Sequence, residues 1–434
     1  MSKKIIVRGP ALSQSGYGEQ CRFALRALRK YPERFDIYLM NTPWGNTGWI
    51  WEDNEERQWI DSILQKTFKA QQLAEKYDIS LQVCIPSEWQ PLAPLNIGYT
   101  AGIETDKIST KWFEGCFKIN KIIVTSNHAK QGIENTSYQA TNNQTGQQFV
   151  AHVETPIEVV SYPVRHYEPK EIDLELKHDF NFLTVCQWGP RKNLETVVKC
   201  FLEEFSNKNV GLIIKTQTIA NCLMDRLHTE QRLKALVNQL SKEKERKCSI
   251  QLLHGDLTPE EMTYLYRHPK IKALVSLTHG EGFGLPLFEA VYNGLPVIAP
   301  VWSGQTDFAF MPSKDTKSGK MKEKCMIGAV SYDIKNIQPE AVYPDMLIPE
   351  SKWCFPKEFH ARQVMRDMFK NYGPFLSNAK KLQAHILQKM DSDKMHKMFA
   401  DAVLEDIPTV NIADFLSDPP EKNKLLEEVV EFAQ

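Results

Sequence analysis

An apolar run, Lys272-Ala-Leu-Val-Ser-Leu277, leads into the turn His279-Gly-Glu-Gly-Phe-Gly284, then into a short amphipathic segment closed by Gly294, then into a second apolar run, Leu295-Pro-Val-Ile-Ala299. The order is strand, turn, helix, strand. Pro286 suits the first helical position, and the glycines ahead of it let the backbone approach a ligand closely, so the helix start becomes an anion site with open N–H groups. Glu281 stands on the turn and Glu289 about one helical turn inside, which places both carboxylates beside whatever the helix end holds. An anion beside two acids points to a phosphate carrying sugar hydroxyls. Taken alone, the stretch also fits a plain structural turn followed by a solvated helical glutamate.

The rest of the chain repeats the pattern. Strands are expected at Lys3–Arg8, Phe35–Met40, Ile79–Cys84, Asn96–Thr100, Lys121–Thr125 and Ile157–Val160, with charged helical stretches at Glu19–Lys30, Glu55–Lys76 and Lys107–Ile119 between them. A second set follows at Asn181–Val185, Val210–Ile214, Ser249–Leu253, Ala273–Ser276, Leu295–Ile298 and Ile327–Val330, interleaved with helices at Asn193–Phe205, Met224–Leu240, Thr258–Tyr266 and Pro286–Tyr292. Strands alternating with helices specify α/β architecture with parallel sheets. Two such units give an N-terminal Rossmann-like domain over 1–165 and a C-terminal Rossmann-like domain over 166–358, joined by the Pro- and charge-bearing stretch Pro163–Lys177. Ligands of open parallel sheets bind beyond the carboxyl ends of the strands, so two facing sheets make a central cleft for two substrates. Residues 359–434 read as C-terminal helices packing back across the domains, with a short amphipathic helix near Lys424–Phe432 in an acidic tail. Asn135–Gln148, rich in Asn, Gln and Thr, reads as an exposed loop.

Composition narrows the partners. The 434 residues include 42% hydrophobic and 25% charged residues, the balance of a globular protein, and a formal net charge of −1 offers no general attraction to nucleic acid. No 18-residue apolar span and no leader-like N-terminus is present, so a cytoplasmic protein without a transmembrane segment is expected, peripheral membrane contact through a local patch staying open. The nine cysteines include no CxxC pair and fit neither a disulfide scaffold nor a zinc site.

Gln187-Trp-Gly-Pro-Arg-Lys-Asn193 ends a strand and starts a helix. Arg191 offers a fork and Lys192 a point charge to a diphosphate, and cations are unfavourable at a helix start unless an anion visits. Lys215, at the end of another strand, is a third candidate cation. Gly16-Tyr-Gly18 follows the first strand in the layout of a phosphate loop, although the dinucleotide fingerprint is broken at Cys21.

These motifs in order, Gln187–Asn193, Leu252-Leu-His-Gly-Asp256, Glu281–Glu289, Gly294-Leu-Pro-Val-Ile298 and Ser303-Gly-Gln-Thr-Asp307, resemble the donor domain of the retaining GT-B glycosyltransferases of the "group 1" superfamily, in its family 4-like form. The paired glutamates separated by seven residues are that family's signature. The likeness is strong over about 180–307 and looser in the N-terminal half, through Ser15–Gly18, Gly102-Ile-Glu-Thr-Asp106 with Trp112, and Ser126-Asn-His128. It implies that Glu289 binds the ribose hydroxyls of a nucleotide and Glu281 contacts the donor sugar. Phe283, Gly284 and Leu285 would present backbone N–H groups, and Arg191 and Lys192 would neutralise the leaving diphosphate. Asp256 and Leu257 would lie by the base, and Gly16 would approach the phosphate from the other domain.

The resemblance further implies sugar transfer from a UDP- or GDP-sugar to an acceptor hydroxyl with retention of anomeric configuration, with no cofactor and no metal. Many relatives carry an Arg where Gln187 stands, which shifts weight onto Arg191 and Lys215. In the loop where relatives often carry a His, this chain offers Glu104 as the candidate for acceptor contact or proton handling. Tyr17 and Trp44, the latter in the aromatic loop Thr42–Trp51, are candidate acceptor contacts, since aromatic faces stack on sugar rings; the loop's tryptophans equally fit core anchors. The expected acceptor is a glycan, a lipid-linked glycan or another hydroxyl compound. Sugar phosphorylases, epimerases and a catalytically inactive nucleotide-sugar-binding scaffold share the frame as alternatives. Asp391-Ser-Asp393 superficially matches a metal-binding acidic motif but sits where a helix cap belongs.

Overall fold

The computed structural model describes residues 2–141, 147–241, 245–314 and 319–404. The N-terminal half runs β1 (Lys3–Gly9), α1 (Gly16–Arg29), β2 (Phe35–Asn41), α2 (Glu55–Gln72), β3 (Ile79–Val83), β4 (Leu95–Thr100), α3 (Thr110–Cys116), β5 (Lys121–Val124), α4 (Asn127–Glu134), β6 (Ser137–Thr141), β7 (Gln148–His152) and β8 (Ile157–Val159). Its sheet is six-stranded and parallel, in the order β2-β1-β3-β4-β5-β8. The second half runs β9 (Asn181–Gln187), α5 (Leu194–Phe205), β10 (Gly211–Gln217), α6 (Leu223–Leu240), β11 (Ser249–His254), α7 (Pro259–Arg267), β12 (Ile271–Val275), α8 (Leu285–Tyr292), β13 (Val297–Pro300), α9 (Thr306–Ala309), β14 (Phe310–Lys314), β15 (Met321–Cys325), β16 (Gly328–Val330), β17 (Tyr332–Asn336) and β18 (Lys352–Pro356). A second six-stranded parallel sheet results, ordered β11-β10-β9-β12-β13-β16.

The strands earn these places by burial on both faces. Ile5, Val7, Leu81, Ile97 and Ile123 are all at most 1% exposed in the first sheet, as are Phe182, Leu183, Leu212, Ile214, Ala273 and Val275 in the second, the near-continuous apolar signature of a sheet covered by helices on either side. Helix starts are fixed by side-chain caps: Ser15 accepts from the Gly18 N–H at α1, Ser126 from Ala129 at α4, and Thr258 with Glu261 forms a complete capping box at α7. In the second sheet the strand order reverses between β9 and β12, so the turns leaving those two strands open the crevice where such sheets bind ligands.

One reading needs correction. The segment expected as the loop Asn135–Gln148 is framed by β6 and β7, an antiparallel hairpin running from Ser137 opposite His152 to Thr141 opposite Gln148. Its residues are polar because the two-stranded ribbon is mostly exposed, so the strands carry no apolar run. The β14–β15 ribbon escaped for the same reason; in the antiparallel pair β17–β18, β17 is mostly exposed while β18 buries Trp353 and Cys354.

Helices α10 (Glu358–Lys370), α11 (Tyr372–Lys389) and α12 (Ser392–Leu404) close the described chain. α10 lies on α5 through the Arg362–Glu203 pair at 3.1 Å, and α11 reaches α8 through Gln383, whose amide donates to the Tyr292 carbonyl at 2.9 Å. α12 returns to the first half and seats on α1: the Phe399 and Phe23 rings are 5.2 Å apart, Arg34 pairs with Asp401 at 2.7 Å, and Lys30 pairs with Asp393. Asp391 caps α12 by accepting from the N–H groups of Asp393 and Lys394, which accounts for the acidic motif there. The tail helix expected near 424–432 lies outside the described residues. All nine cysteines are free thiols, and among the described residues no helix is long and apolar enough to cross a membrane.

Candidate active site

Beyond β9 the chain makes one 3₁₀ turn, Pro190–Lys192, and Asn193 then takes a left-handed backbone (φ 53°) before α5 begins. Asparagine tolerates that conformation better than most residues. Its amide donates to the Leu277 carbonyl at 2.9 Å, tying the cation-bearing turn to the end of β12. Arg191 and Lys192 therefore stand on a separate turn ahead of the helix, held where the two crevice strands meet.

Both cations converge on Glu281. Lys192 Nζ lies 2.7 Å from each carboxylate oxygen, and Arg191 Nη1 lies 3.2 Å from Oε2 and 2.7 Å from the Gly280 carbonyl. Burial pushes the Glu281 carboxyl up, but Lys192 and Arg191 together outweigh it and hold it below the usual carboxylate range. The Glu281 N–H donates to Ser303 Oγ at 2.8 Å. Ser303 itself stands at φ 65°, a conformation costing about 1–3 kcal/mol that a site-building contact sustains. Gly284, at φ 97°, then opens α8, and the first N–H groups of that helix have no partner within it.

Across the domain boundary, Glu104 follows β4 and its carboxylate lies 3.1 Å from Arg191 Nη2. A Cβ on Gly280 would overlap the Glu104 carbonyl oxygen. The glycine expected to admit a ligand is thus required, at this position, by the approach of one domain's backbone to the other's. Ser126 Oγ donates to the Gly282 carbonyl at 2.6 Å, and the Asn127 N–H donates to Asp307 at 2.9 Å, so the start of α4 is fastened to the same turn.

Glu289 has a different set of neighbours. Its Oε2 accepts from the Tyr266 hydroxyl at 2.9 Å. Burial pushes its carboxyl up to about 7; Tyr266 pulls it back, Glu19 adds to the push, and Arg165 and Lys215 oppose it. Lys215 is lowered by burial and supported by Asp256 and Glu289, so three of the expected donor residues, Lys215, Asp256 and Glu289, form one electrostatic group. Leu257 packs half-buried against the core that contains Tyr266. Glu19 belongs to α1, one turn after Gly16, and an added Cβ on Gly16 would meet no atom within 4 Å. Gly16 is therefore open at the start of α1, whereas Gly18 in the same turn packs against the Ser13 carbonyl.

The aromatic pair on the first domain also assembles. Tyr17 stacks on Trp44 with ring centroids 4.0 Å apart, and its hydroxyl lies 2.8 Å from Thr100 Oγ1. Trp49 and Trp51 are 54% and 79% exposed, so they are not core anchors. The Phe283 ring is 3% exposed and packs against Tyr162, Phe288 and Phe308, so the ring is part of the core. His279 is structural, stacked on Trp353 and bonded to the Cys354 carbonyl. Sequence reasoning missed Tyr266 and gave Ser303 no role. Tyr266 carries no local signal, since only the α7–β12 connection brings it to α8.

The chain has the GT-B fold. Three solved structures illustrate it: HepE of Anabaena in complex with UDP and glucose (TM-score 0.57, 12% identity, 92% of this chain and 99% of that one), sucrose-phosphate synthase of Thermosynechococcus elongatus (0.58, 11%, 92% and 98%), and the E. coli trehalose-6-phosphate protein bound with UDP-2-fluoro glucose (0.57, 10%, 93% and 100%). At these identities the likeness is one of fold. No protein-family model and no curated protein sequence matches the chain.

Proposed function

We propose that this protein is a cytoplasmic glycosyltransferase that moves a sugar from a nucleoside-diphosphate sugar, UDP- or GDP-linked, to an acceptor hydroxyl, with retention of configuration and without a metal. One observation carries the reading. Glu281, with Arg191 and Lys192 closed on it at 2.7–3.2 Å, stands ahead of the α8 N-terminus in the crevice of the second sheet, facing Glu104 of the first domain.

In this reading Arg191, Lys192 and the open N–H groups of Phe283, Gly284 and Leu285 take the diphosphate. Charge develops on its oxygens as the sugar departs, and preorganised donors stabilise that charge without rearranging. Glu281 contacts the sugar and Glu289 the ribose hydroxyls, with Lys215 beside it. Asp256 and Leu257 border the base, and Gly16 admits the phosphate from the first domain. Glu104 meets the acceptor hydroxyl, and the Tyr17–Trp44 stack borders a saccharide or lipid-linked acceptor. The UDP and UDP-2-fluoro glucose of the two ligand-bound neighbours support a nucleotide-sugar donor on this frame.

The test is calorimetric titration with UDP, GDP, ADP and their sugar conjugates, with and without a chelator, followed by determining the anomeric form of any product. Binding of one diphosphate that survives the chelator, and a product of unchanged anomeric configuration, are expected. No binding at millimolar concentration would remove the donor site.

A further inference from the structure

Arg191 is shared between two carboxylates on opposite domains: Nη1 meets Glu281 at 3.2 Å and Nη2 meets Glu104 at 3.1 Å. With Lys192 on Glu281 as well, two cations and two carboxylates balance to zero. A diphosphate brings at least two further negative charges to the same cations, and one carboxylate must give way.

The geometry decides which. The Glu281 side chain is 8% exposed, holds Lys192 through both oxygens, and its own N–H is fixed to Ser303. The Glu104 side chain is 20% exposed, and its ion pair among the described residues is with Arg191 alone. The backbone around Glu104 cannot follow a displaced side chain. Asp106 exchanges two hydrogen bonds with Lys352, its N–H to the Lys352 carbonyl at 3.0 Å and its Oδ1 from the Lys352 N–H at 2.7 Å, and the Glu104 carbonyl abuts Gly280. Displacement therefore means rotation of the Glu104 side chain away from Arg191; from where it stands its charge already reaches the Tyr17 hydroxyl.

We propose that the Arg191–Glu104 pair is a latch between the two substrate sites: the donor diphosphate takes Arg191 from Glu104, and the released carboxylate turns to the acceptor side. The inference rests on the donor reading above. It makes binding ordered, donor before acceptor, and it makes Glu104 a competitor of the donor in the free enzyme. By thermodynamic reciprocity, removing the competitor tightens donor binding.

The experiment is titration of the full-length wild type, Glu104→Gln, Glu104→Ala and Glu104→Asp with UDP and with GDP. Glu104→Gln and Glu104→Ala are expected to bind the diphosphate about fivefold or more tightly than wild type, while Glu104→Asp, which keeps the charge, stays near wild type. A residue that merely braced the domain contact would on removal lower the melting temperature and leave affinity unchanged or weaker, and that outcome overturns the latch. Wild type binding neither nucleotide at millimolar concentration overturns the donor reading and the latch with it; wild type binding with no tightening in either neutral variant overturns the latch alone.

Discussion

The Tyr266 hydroxyl donates to Glu289 Oε2 across 2.9 Å, which engages one oxygen of the carboxylate proposed to meet the ribose and leaves the other for the ligand. Burial holds that carboxyl near 7 despite the bond, and a neutral carboxyl accepts hydroxyl donors less well than an ionised one. Nucleoside-diphosphate affinity is therefore expected to rise as pH increases through about 7. Tyr266→Phe removes the donation that favours ionisation and moves the rise to higher pH. Calorimetry from pH 5.5 to 8.5 checks both, and an affinity that does not change with pH would separate Glu289 from nucleotide binding.

The same group leaves a mark on stability. Its carboxyl is raised from 4.5 to about 7 on folding, so between those values the native state holds a proton that the unfolded chain has released. Stability present at low pH is then lost as pH rises through the folded value. Glu289→Gln removes the titration, and its melting temperature relative to wild type is expected to be a few degrees higher at pH 8 than at pH 5. An offset independent of pH would contradict the shift.

Glu281 and Glu289 are predicted to fail differently. Glu289→Ala is expected to weaken nucleoside-diphosphate binding about tenfold or more, the loss of a hydrogen bond to a charged group. Glu281→Ala leaves Arg191 and Lys192 to the diphosphate, so binding persists while transfer slows by about a hundredfold or more. Measured binding constants and turnover rates showing the reverse pattern would exchange the two roles.

Gly280 is where the second domain's backbone meets the carbonyl of Glu104. Gly280→Ala is expected to cost about 1–3 kcal/mol and to abolish transfer while diphosphate binding survives, because the donor residues of the second domain remain in place. Thermal melting and titration together check it; a variant with wild-type turnover would show that the close approach is dispensable.

The strands of both sheets were legible because burial on two faces writes uninterrupted apolar runs such as Leu212-Ile-Ile214. The turn around Glu281 was legible because glycine, proline and two acids at that spacing satisfy few structures. β15 was not legible: its sequence Met-Lys-Glu-Lys-Cys lies on an exposed ribbon, where no packing constrains the residue type. The two halves of the candidate site, Glu104 on one side and Arg191 with Glu281 on the other, could each be named from the sequence. Their junction could not, since Arg191 and Glu104 are 87 positions apart and neither sequence neighbourhood records a partner on another domain.

α12 carries a consequence for synthesis. Phe399 lies 5.2 Å from Phe23 and 4.9 Å from Tyr99, so the core begun by the first helix is completed by one of the last. A ribosome making this chain exposes Phe23 and Tyr99 hundreds of residues before their cover emerges. The first domain must therefore wait, with its apolar face open, until the second has been made, and a chain stopped short of α12 would present that face to solvent or to a chaperone.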